Sequence, residues 1–584
     1  MPPRKKPSAP AASRYSVIRF ALALYLLALL PRIVFVLLAG RADLSLDEIE
    51  YHLLATNLAK GNGFRWFFDL KSSFRPPGYP FCLAALYYFT GPNYFLARLV
   101  QTFLVATTGV LTWLLGRQFF AESAARLAGI IIALYPPLIF YTVALMGENL
   151  FIPLLLLGLY CLVRPSSSPI PHSQFILHPL LSALSFGLAI LIRPELTYLL
   201  PFVLAWLYLV TRRRQTATRT DTDEHGRKRG HGATASSSGV EPRASSSQPH
   251  FALRTTLFLV LLALIITPWV IRNYHVTGRF VYLDTRTGYN LYLGYNDRAN
   301  GTFDMMRAQD LIDAFIKENL ARIDLPRPLT EAQVRNLLYR EVMAYKQPGR
   351  LDYPLRKQFD PDSALSDVVM NDWGMARAKE FIQEHPLRAL ALLPLKFAYF
   401  WDLEHRIFLF AYSNNFIGPL PRPLLALFFL LLLAPFPLLV LLSILHVTLK
   451  PPPATHPETS TLKSQCQTSQ APDFPFLIPH SSFLILPIVF YALLHTLTFG
   501  EARFHYVILP FLALLAAQTL TRLRTTRKSR SPVSSIPHSP FFLHPSSFIL
   551  LLLFLLIWAH GLYASWDHWL AVFGPNGHQS YLEF

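Results

Sequence analysis

Apolar runs of roughly membrane-spanning length recur along the chain, each separated from the next by a polar or basic segment. A helix over the first run, residues 17–39, rises about 1.5 Å per residue to roughly 34 Å, which crosses the hydrocarbon core of a bilayer with some tilt. The pattern predicts an all-α polytopic membrane protein with about eleven transmembrane helices. The predicted spans are residues 17–39, 94–117, 126–146, 150–163, 178–192, 195–210, 255–272, 423–447, 481–499, 505–521 and 541–560.

The polar segments between these runs predict the domain organisation. Residues 212–253 are rich in Arg, Ser, Thr and Gly, so they cannot bury a core and are predicted to be a disordered cytoplasmic linker. Residues 273–422 form the largest polar region, and helical periodicity at 331–346 and 375–401 predicts amphipathic helices lying partly on the membrane. The predicted units are a basic cytoplasmic tail (1–16), an N-terminal transmembrane module that carries the chemistry (17–211) with a first outer loop (41–93), the linker (212–253), a transmembrane helix (254–272), the outer-face region (273–422), C-terminal transmembrane helices (423–560) with cytoplasmic linkers at 450–475 and 522–540, and an outer tail (561–584).

Composition and charge agree with a membrane protein. Hydrophobic residues make up 52% of the 584 residues, charged residues make up 15%, and the mean hydropathy is +0.33. The net charge of +18 concentrates in clusters such as 212–214 and 522–530. The positive-inside rule places these clusters in the cytoplasm and the first outer loop outside, so the charge needs no nucleic-acid partner. The run behind the basic N-terminus is too long for a signal-peptide core and should remain as the first span.

The first outer loop carries the pattern of a polar helix. Ser45 and Glu48 have the spacing of a capping box, which begins a helix with Asp47 and Tyr51 one turn apart on the same face. The glycines of 61–63 predict the end of that helix. We therefore expect carboxylates and aromatic side chains at the membrane surface, the alternative being an ordinary solvated loop with a well-capped helix.

Further polar residues are predicted on the same outer side, near the ends of the spans. Arg75 precedes residues 76–80, which contain three prolines and stiffen the chain as it returns to the bilayer. Arginines at this depth commonly pair with a fixed anion or an intramembrane partner, although snorkelling to lipid headgroups explains any single one. The other polar residues predicted near span ends on the outer side are Arg32, Glu148, Asn149, Arg193, Arg272 and Arg503.

Carboxylates and arginines at one membrane surface suit a lipid-linked anionic substrate. A sugar on a polyprenyl phosphate would place its phosphate at headgroup depth, within reach of an arginine, while a carboxylate deprotonates the attacking acceptor. The sequence contains no Gly-rich phosphate loop, Walker motif or dinucleotide fingerprint. A reaction without a nucleotide fits this absence.

The tetrapeptide Ile-Pro-His-Ser occurs three times, beginning at residues 170, 478 and 536. Each copy lies on the predicted cytoplasmic side before an outward span. A metal site built from the three histidines would come from separate loops without carboxylates, so low-complexity inserts of no catalytic meaning are the preferred interpretation.

A series of segments carries a resemblance to a known family. In chain order they are LDEIEYHLLATNLAKGNGF, FRPPGYPF, FLARLVQ, YPPLIFYTVALMGENLF, LAILIRPE, TPWVIRNYHVTGRFV, GYNLYLGYNDRANG and GEARFHYVILPFLALLAA. With these segments the sequence resembles the GT-C superfamily of integral membrane glycosyltransferases. Specifically, it resembles the bacterial branch related to protein O-mannosyltransferases and lipid A aminoarabinose transferases, glycosyltransferase family 39-like. A departure lies at 294–297, Gly-Tyr-Asn-Asp, where many relatives carry an Asn-rich signature.

The resemblance implies roles for the outer-side residues. In this family the acidic residue of the first outer loop is the catalytic base, which corresponds to Asp47, and the second outer loop supplies another acidic residue, here Glu148. A basic residue before the first loop returns contacts the donor phosphate, here Arg75. The expected catalytic residues are Asp47, Glu48 and Glu148, the expected donor-phosphate contacts are Arg75, Arg272 and Arg503, and the expected substrate contacts are Tyr51, Tyr79, Asn149 and Arg193.

The implied activity is the inverting transfer of a sugar from a polyprenyl-phosphate donor to a lipid, glycan or protein acceptor. The implied location is the outer face of a bacterial cytoplasmic (inner) membrane, with the site facing the periplasm or exterior. No cofactor is certain; a divalent metal at Asp47 and Glu148, with Glu48 nearby, is possible because hard cations favour oxygen ligands. An arginine can stabilise a phosphate leaving group instead.

Two other classes of function remain open at this point. A transporter or lipid flippase of envelope polysaccharide assembly would place ionisable residues near the middle of the bilayer and broken helices in symmetric halves. The charges instead cluster at one predicted surface. A non-catalytic assembly protein is the third class, and in it Asp47 and Glu148 would be dispensable.

Overall fold

The structure, a computed structural model, consists mainly of helices joined by short turns and loops in the part of the chain that it describes. Extended pairing among those residues is limited to two isolated bridges, Arg65 with Lys71 and Thr302 with Gly500. The predicted all-α class is therefore confirmed. The described residues are 10–42, 44, 46–65, 71–163, 172–210, 212, 247–302, 314, 317–318, 365–405, 421–448, 482–528 and 545–573.

Helices α1 to α12 occupy the first half of the chain. A 3-10 turn, Tyr141–Val143, follows α7 directly. The bounds are α1 Pro10–Ala39, α2 Leu46–Ala59, α3 Gly78–Thr90, α4 Tyr94–Val105, α5 Thr107–Gly116, α6 Glu122–Ala133, α7 Pro136–Phe140, α8 Glu148–Val163, α9 His172–Ile192, α10 Leu196–Val210, α11 Ser247–Thr277 and α12 Arg286–Gly294.

Helices α13 to α20 occupy the second half. A 3-10 segment, Ala502–Ile508, leads into α18. The bounds are α13 Leu365–Glu384, α14 Pro386–Phe400, α15 Arg422–Leu433, α16 Pro435–Thr448, α17 Ser482–Leu497, α18 Leu509–Lys528, α19 Pro545–Ala564 and α20 Trp566–Phe573.

Among the described residues, six helical stretches are long and apolar enough to cross a membrane, and the bent pair α6 and α7 would make a seventh. The prediction of a polytopic membrane protein is thereby confirmed. Four shorter apolar helices, α8, α9, α10 and α17, coincide with the remaining predicted spans. They have 10–17 residues in their apolar parts, so the count of eleven crossings stays a prediction. The six long stretches are Tyr15–Ala39, Tyr94–Gly116, Ala252–Thr277, Arg422–Thr448, Ala502–Thr525 and Ser547–Ala564.

Two helices continue into segments that the sequence predicts as linkers. Helix α11 begins at Ser247, and α18 continues to Lys528. Hydropathy marks the part of a helix that lies in hydrocarbon, whereas backbone hydrogen bonding can extend beyond it through polar residues. The rest of the linkers at 212–253, 450–475 and 522–540 and the helix predicted at 331–346 lie outside the described residues.

The break between α6 and α7 is stabilised by a buried arginine of the first span. The pair bends by 49° where Pro136 prevents α6 from continuing. Arg32 donates from Nη1 to the carbonyl oxygen of Ala133 at 2.6 Å and from Nη2 to that of Ile132 at 3.4 Å. These are carbonyls at the end of a helix, which have no partner within it. Arg32 thus caps a helix end, so of the two kinds of partner that the sequence predicts, a bound anion or a group of the protein, the structure shows a group of the protein, the backbone.

Helix α18 lies at the centre of the bundle. The most apolar part of Ala502–Thr525 has 83% of its residues buried, whereas that of Ala252–Thr277 has 17% and faces outward. Small residues permit the close packing, since a Cβ atom on Gly116 of α5 would lie 2.4 Å from Leu514 of α18. Helices in a membrane associate through such close contacts. The 3-10 segment that leads into α18 is likewise mostly buried in the bundle.

Residues 273–422, the predicted outer-face region, contribute three described helices that pack beside the bundle. Helix α12 approaches α13 so closely that a Cβ atom on Gly288 would lie 1.9 Å from the backbone oxygen of Asn371. The helical periodicity predicted at 375–401 is confirmed, with a break between α13 and α14 where Pro386 begins the second helix. The predicted contact of these helices with the membrane surface stays a prediction.

Candidate functional site

One face of α2 carries the centre of the candidate site. Asp47, Glu50 and Tyr51 are spaced i, i+3 and i+4 and so lie on the same face of the helix. Arg75 contacts all three: its Nη2 donates to Asp47 Oδ1 at 2.6 Å, its Nε donates to Glu50, and its guanidinium lies 5.2 Å from the Tyr51 ring centre. The shared face predicted for Asp47 and Tyr51 is confirmed.

The turn after α2 brings Arg75 back to that face. Gly61 and Gly63 adopt φ values of 77° and 84°, which favour glycine, and the predicted end of the helix is confirmed there. On the far side of Arg75, Gly78 begins α3 against the end of α9, where a Cβ atom would lie 2.7 Å from Ile192. Arg75 is therefore held between a tight turn and a closely packed helix start.

Arg503 approaches Asp47 from the opposite side. Its Nη1 lies 2.9 Å from Asp47 Oδ2, and its Nε lies 3.0 Å from Glu501. Each oxygen of Asp47 is thus paired with a different arginine, although the two arginines are more than 400 residues apart in the chain. Burial raises the pKa of Asp47, but the charges of Arg75 and Arg503 outweigh it and hold that pKa well below its usual range.

Glu50 is the opposite case. Its pKa is raised, because the effect of burial exceeds that of the Arg75 charge. Two carboxylates that share one arginine therefore differ in basicity. Pairs of titratable groups whose surroundings separate their pKa values are typical of sites that transfer protons.

A second ion pair lies next to this cluster. Glu148, the first residue of α8, pairs with Arg193 at the end of α9, and Arg193 also lies 2.8 Å from Glu195. The guanidinium groups of Arg193 and Arg503 lie 5.9 and 5.3 Å from the same ring, that of Phe504. The structure thus brings together Asp47, Arg75, Glu148, Arg193 and Arg503, which the sequence predicted on one surface.

Glu48 faces away from this cluster and is not carried into the proposed mechanism. It is buried, lies 3.0 Å from Arg98 and accepts a hydrogen bond of 2.7 Å from the backbone of Leu145. Arg98 in turn donates to the backbone oxygens of Gly40 and Ala42 after α1. A residue adjacent to Asp47 on a helix points about 100° away from it, which accounts for the difference. Ser45, the predicted capping partner, lies outside the described residues.

Three further residues predicted at the site have structural partners. The hydroxyl of Tyr79 donates to Gln101 at 2.9 Å, although the Tyr79 ring lies against Tyr51. The amide of Asn149 donates to the backbone oxygens of Tyr141 and Ala144, which fixes the turn before α8. Arg272 donates to the backbone oxygen of Ser72 at 2.6 Å and packs on Trp269. The substrate contacts predicted for Tyr79 and Asn149 and the donor-phosphate contact predicted for Arg272 stay predictions, and these protein partners would compete with them.

The described part of the chain contains no group of three His, Cys, Asp or Glu side chains that could hold a metal ion. Asp47 and Glu148, the proposed ligands, each pair with arginine. A cation at Asp47 would have to displace two guanidinium groups. The residues present therefore do not fit a divalent metal, and no step is assigned to one.

Sequence reasoning missed two residues at the site. Glu50 could have been found, since it is three residues from Asp47 on the same helix. For Tyr141, no spacing or motif in the sequence indicated a place at the site. Its hydroxyl oxygen is buried, has no hydrogen-bond partner among the described residues, and is near enough to Asp47 and Glu148 to interact with their charges. An unpaired hydroxyl beside a charged cluster is available to a polar group of a ligand.

Residues 74–221, about a quarter of the chain, match the family model described as dolichyl-phosphate-mannose-protein mannosyltransferase. The match confirms the resemblance to GT-C membrane glycosyltransferases that the sequence motifs predicted. It includes Arg75, Glu148 and Arg193 and begins after Asp47. Among curated proteins, none matches the sequence significantly.

Solved structures of similar architecture include ArnT from Cupriavidus metallidurans bound to undecaprenyl phosphate, with 13% identity, a TM-score of 0.35, and coverage of 89% of this chain and 80% of that chain. Another is the oligosaccharyltransferase AglB from Archaeoglobus fulgidus in complex with an inhibitory peptide and a dolichol-phosphate, with 12% identity, a TM-score of 0.41, and coverage of 97% and 59%. A third is the Archaeoglobus fulgidus oligosaccharyltransferase in complex with Zn and sulfate, with 12% identity, a TM-score of 0.43, and coverage of 96% and 56%. The chain thus spans less than two thirds of the length of the archaeal enzymes. At TM-scores below 0.5 these similarities do not bear on the site or its reaction.

Proposed function

We propose that this chain, a polytopic membrane protein similar to GT-C glycosyltransferases, transfers a sugar from a polyprenyl-phosphate donor to an acceptor, with inversion at the anomeric carbon. The acceptor is a lipid, a glycan or a protein. The reaction takes place at the outer face of a bacterial cytoplasmic membrane. The family match to residues 74–221 supports the class of reaction, and the charged cluster supports the roles of the residues.

The observation that carries the proposal is the double ion pair of Asp47 with Arg75 and Arg503. It places two guanidinium groups in direct contact with one carboxylate. Guanidinium groups bind phosphate through charge-assisted and often bidentate hydrogen bonds. A lipid-linked phosphate lying between the arginines would leave its sugar beside Asp47, which is the arrangement that the transfer requires.

The same geometry defines what Asp47 does in the reaction. The carboxylate accepts the proton of the acceptor nucleophile as that nucleophile attacks the anomeric carbon and the donor phosphate leaves. The pKa of Asp47 is too low for an efficient base while both arginines pair with it. A donor phosphate that shares the arginines weakens their hold on Asp47 and raises its pKa. The arginines then stabilise the charge that develops on the leaving phosphate.

The test is native mass spectrometry of the protein purified with its membrane lipids. The wild-type protein should carry an added mass that matches a polyprenyl phosphate or its glycosylated form, and a variant with both Arg75→Ala and Arg503→Ala should not. Arg279→Ala is the matched control, because Arg279 forms an exposed ion pair with Asp372 away from the cluster. A wild-type protein that retains no such lipid, and binds none when undecaprenyl phosphate is added, contradicts the proposal.

A further inference from the structure

The stretch of chain that precedes Arg75 is attached to the outer-face region. Asp367 in the first turn of α13 accepts two hydrogen bonds at Oδ2, one of 3.1 Å from the hydroxyl of Ser72 and one of 2.8 Å from the backbone of Ser73. The backbone of Thr285, just before α12, donates to the oxygen of Ser73 at 3.0 Å. The outer-face region therefore holds both the donor and the acceptor of the Ser73 backbone.

These contacts are shielded from water. Ser72 and Ser73 are fully buried, and Asp367 and Thr285 are each 2% exposed. Arg272 adds a hydrogen bond of 2.6 Å to the oxygen of Ser72, from the end of α11. Buried hydrogen bonds are expensive to break because their groups would be left without partners. The stretch is thus fixed by residues that lie about 200 to 295 positions later in the chain.

The fixed stretch ends one residue before Arg75. The backbone of Phe74 donates to the hydroxyl of Ser72 at 3.1 Å, so the rigidity extends to the neighbour of Arg75. Pro76 restricts the backbone of Arg75 from the other side. The direction of the Arg75 guanidinium, and with it the position of a phosphate that it binds, therefore depends on how Ser72 and Ser73 are held.

We propose that Asp367 is a positioning residue for the donor, which makes α13 of the outer-face region a working part of the site. The inference rests on the proposed function, since it concerns the phosphate of the same lipid donor. Asp367 acts through its hydrogen-bond acceptor and reaches the donor only through Arg75. Loss of that acceptor loosens residues 72–75 and spreads Arg75 over orientations that do not bind phosphate.

The test compares Asp367→Ala, Asp367→Asn and Asp372→Ala in the full-length protein. Asparagine keeps an acceptor oxygen in nearly the same place, whereas alanine removes it. Asp372 lies on the same helix in an exposed pair with Arg279 and serves as the matched control. Affinity for undecaprenyl phosphate and hydrogen exchange of the amides of residues 71–75 are measured for each protein, together with KM and kcat where transfer is assayed.

We expect Asp367→Ala to weaken the binding of undecaprenyl phosphate about tenfold, corresponding to the loss of one net hydrogen bond between Asp367 and residues 72–73. Exchange at residues 71–75 should accelerate, and KM for the donor should rise with little change in kcat. Asp367→Asn should restore both the affinity and the exchange protection, and Asp372→Ala should behave as the wild type. If Asp367→Ala does not fold, Ser72→Ala removes both the hydroxyl bond to Asp367 and the acceptor of the Phe74 backbone amide, and it should show the same effects.

Unchanged affinity in Asp367→Ala, in a protein whose wild type binds the lipid, overturns the inference and leaves the proposed function intact. Accelerated exchange with unchanged affinity overturns it as well, because the hydrogen bonds of Asp367 to residues 72–73 would then have a structural role only. A wild-type protein that binds no undecaprenyl phosphate contradicts the proposed function itself. The two failures are therefore distinguishable.

Discussion

Asp47 connects the two arginines of the site, because each of its carboxylate oxygens pairs with a different one. Arg75 reaches it from the same loop and Arg503 from the start of the central helix. Glu50 and Glu501 in turn pair with these two arginines, which keeps the guanidinium groups close to Asp47. Such preorganised charge costs little reorganisation when a phosphate arrives.

Replacement of Arg75 tests the phosphate contact at this scale. Arg75→Ala should weaken the binding of polyprenyl phosphate by roughly 1.5 to 3 kcal/mol, or about tenfold to a hundredfold, because a charge-assisted hydrogen bond is lost. Arg75→Lys should recover part of this loss, since an ammonium is a point charge in place of a planar fork. Isothermal titration of undecaprenyl phosphate into detergent-solubilised protein measures the effect.

The double variant Arg75→Ala with Glu50→Gln separates two causes of that loss. Arg75→Ala leaves Glu50 without its cation, and an uncompensated carboxylate would itself repel a phosphate. If the lost contact is responsible, the double variant stays as weak as the single one. Recovery of wild-type affinity in the double variant would move the phosphate site to Arg503.

The residue scale also shows how far the sequence could predict the site. Asp47, Tyr51 and Arg75 are predictable because a helix face and a proline-restricted return are local features. Arg503 was predicted only on the same surface as Asp47, and its ion pair depends on how α18 packs. The pairing of Glu48 with Arg98 was missed, since nothing in the local pattern indicates which face of α2 points into the bundle.

At the scale of elements, helix breaks depend on buried side chains from other helices. Arg32 caps the end of α6, and Arg98 caps the end of α1 while it pairs with Glu48. In a bilayer, backbone oxygens at a break have no water to accept from, so each needs a donor from the protein. The sequence predicts that buried arginines need partners, but it does not distinguish a carbonyl partner from an anion.

Arg32→Met therefore tests a structural role. It should lower the thermal stability of the protein in detergent, because the carbonyl oxygen of Ala133 would lose the donor that Arg32 supplies, at a cost of roughly 1 to 3 kcal/mol. Binding of undecaprenyl phosphate by the folded protein should remain unchanged. Arg126 lies on α6 and forms a half-exposed pair with Glu122, so Arg126→Met should have little effect on stability. Loss of lipid affinity at unchanged stability would instead support an anion at Arg32.

The contact between α13 and the first loop has a predicted pH dependence. Burial raises the pKa of Asp367 to about 6, from 3.8, although hydrogen bonds from Ser73 and Ser72 and the charge of Arg272 oppose the shift. A carboxyl whose pKa is raised in the folded state favours folding at low pH, and that contribution is lost as pH rises through about 6. The amide of Asp367→Asn does not ionise, so this variant does not lose stability as the pH rises. At neutral pH its free energy of unfolding should exceed that of the wild type by at most roughly 3 kcal/mol.

Thermal unfolding of both proteins between pH 4 and pH 8 measures this difference. The advantage of Asp367→Asn should grow from pH 4 and level off above about 6. An advantage that does not vary with pH would show that the carboxyl of Asp367 titrates alike in the folded and unfolded states. Burial would then not raise the pKa of Asp367 in the folded protein.

At the scale of the whole molecule, the predicted alternate crossing of the membrane would bring the residues of the candidate site to one side. The ends of α1, α9 and α11 and the starts of α8 and α18 contribute residues to the site or its support, as expected if they lie on one side. The order of apolar runs predicts this arrangement, and the basic clusters predict which side is outside. The packing that brings Asp367 to Ser73 could not be predicted from the sequence, because the two residues are 294 positions apart.

The orientation is tested by cysteine labelling in a background without Cys82, Cys161 and Cys466. A cysteine at Ser45 should react with a membrane-impermeant maleimide added to intact spheroplasts, and a cysteine at Ser236 should react only after permeabilisation. The reason is that the basic linker around Ser236 is retained inside. Labelling of both positions from the same side would invalidate the outer placement of the site.

The most direct test of the central claim is the rate of sugar transfer by Asp47→Asn. The amide keeps the size of the side chain and part of its hydrogen bonding but cannot accept the proton of the acceptor, and loss of a general base typically lowers rates by 10² to 10⁴. In proteoliposomes with a lipid-linked sugar donor, Asp47→Asn should lose transfer by about that factor while it still binds undecaprenyl phosphate. Asp372→Asn, in an exposed pair on α13, should retain the wild-type rate. Near-normal transfer by Asp47→Asn would contradict the account.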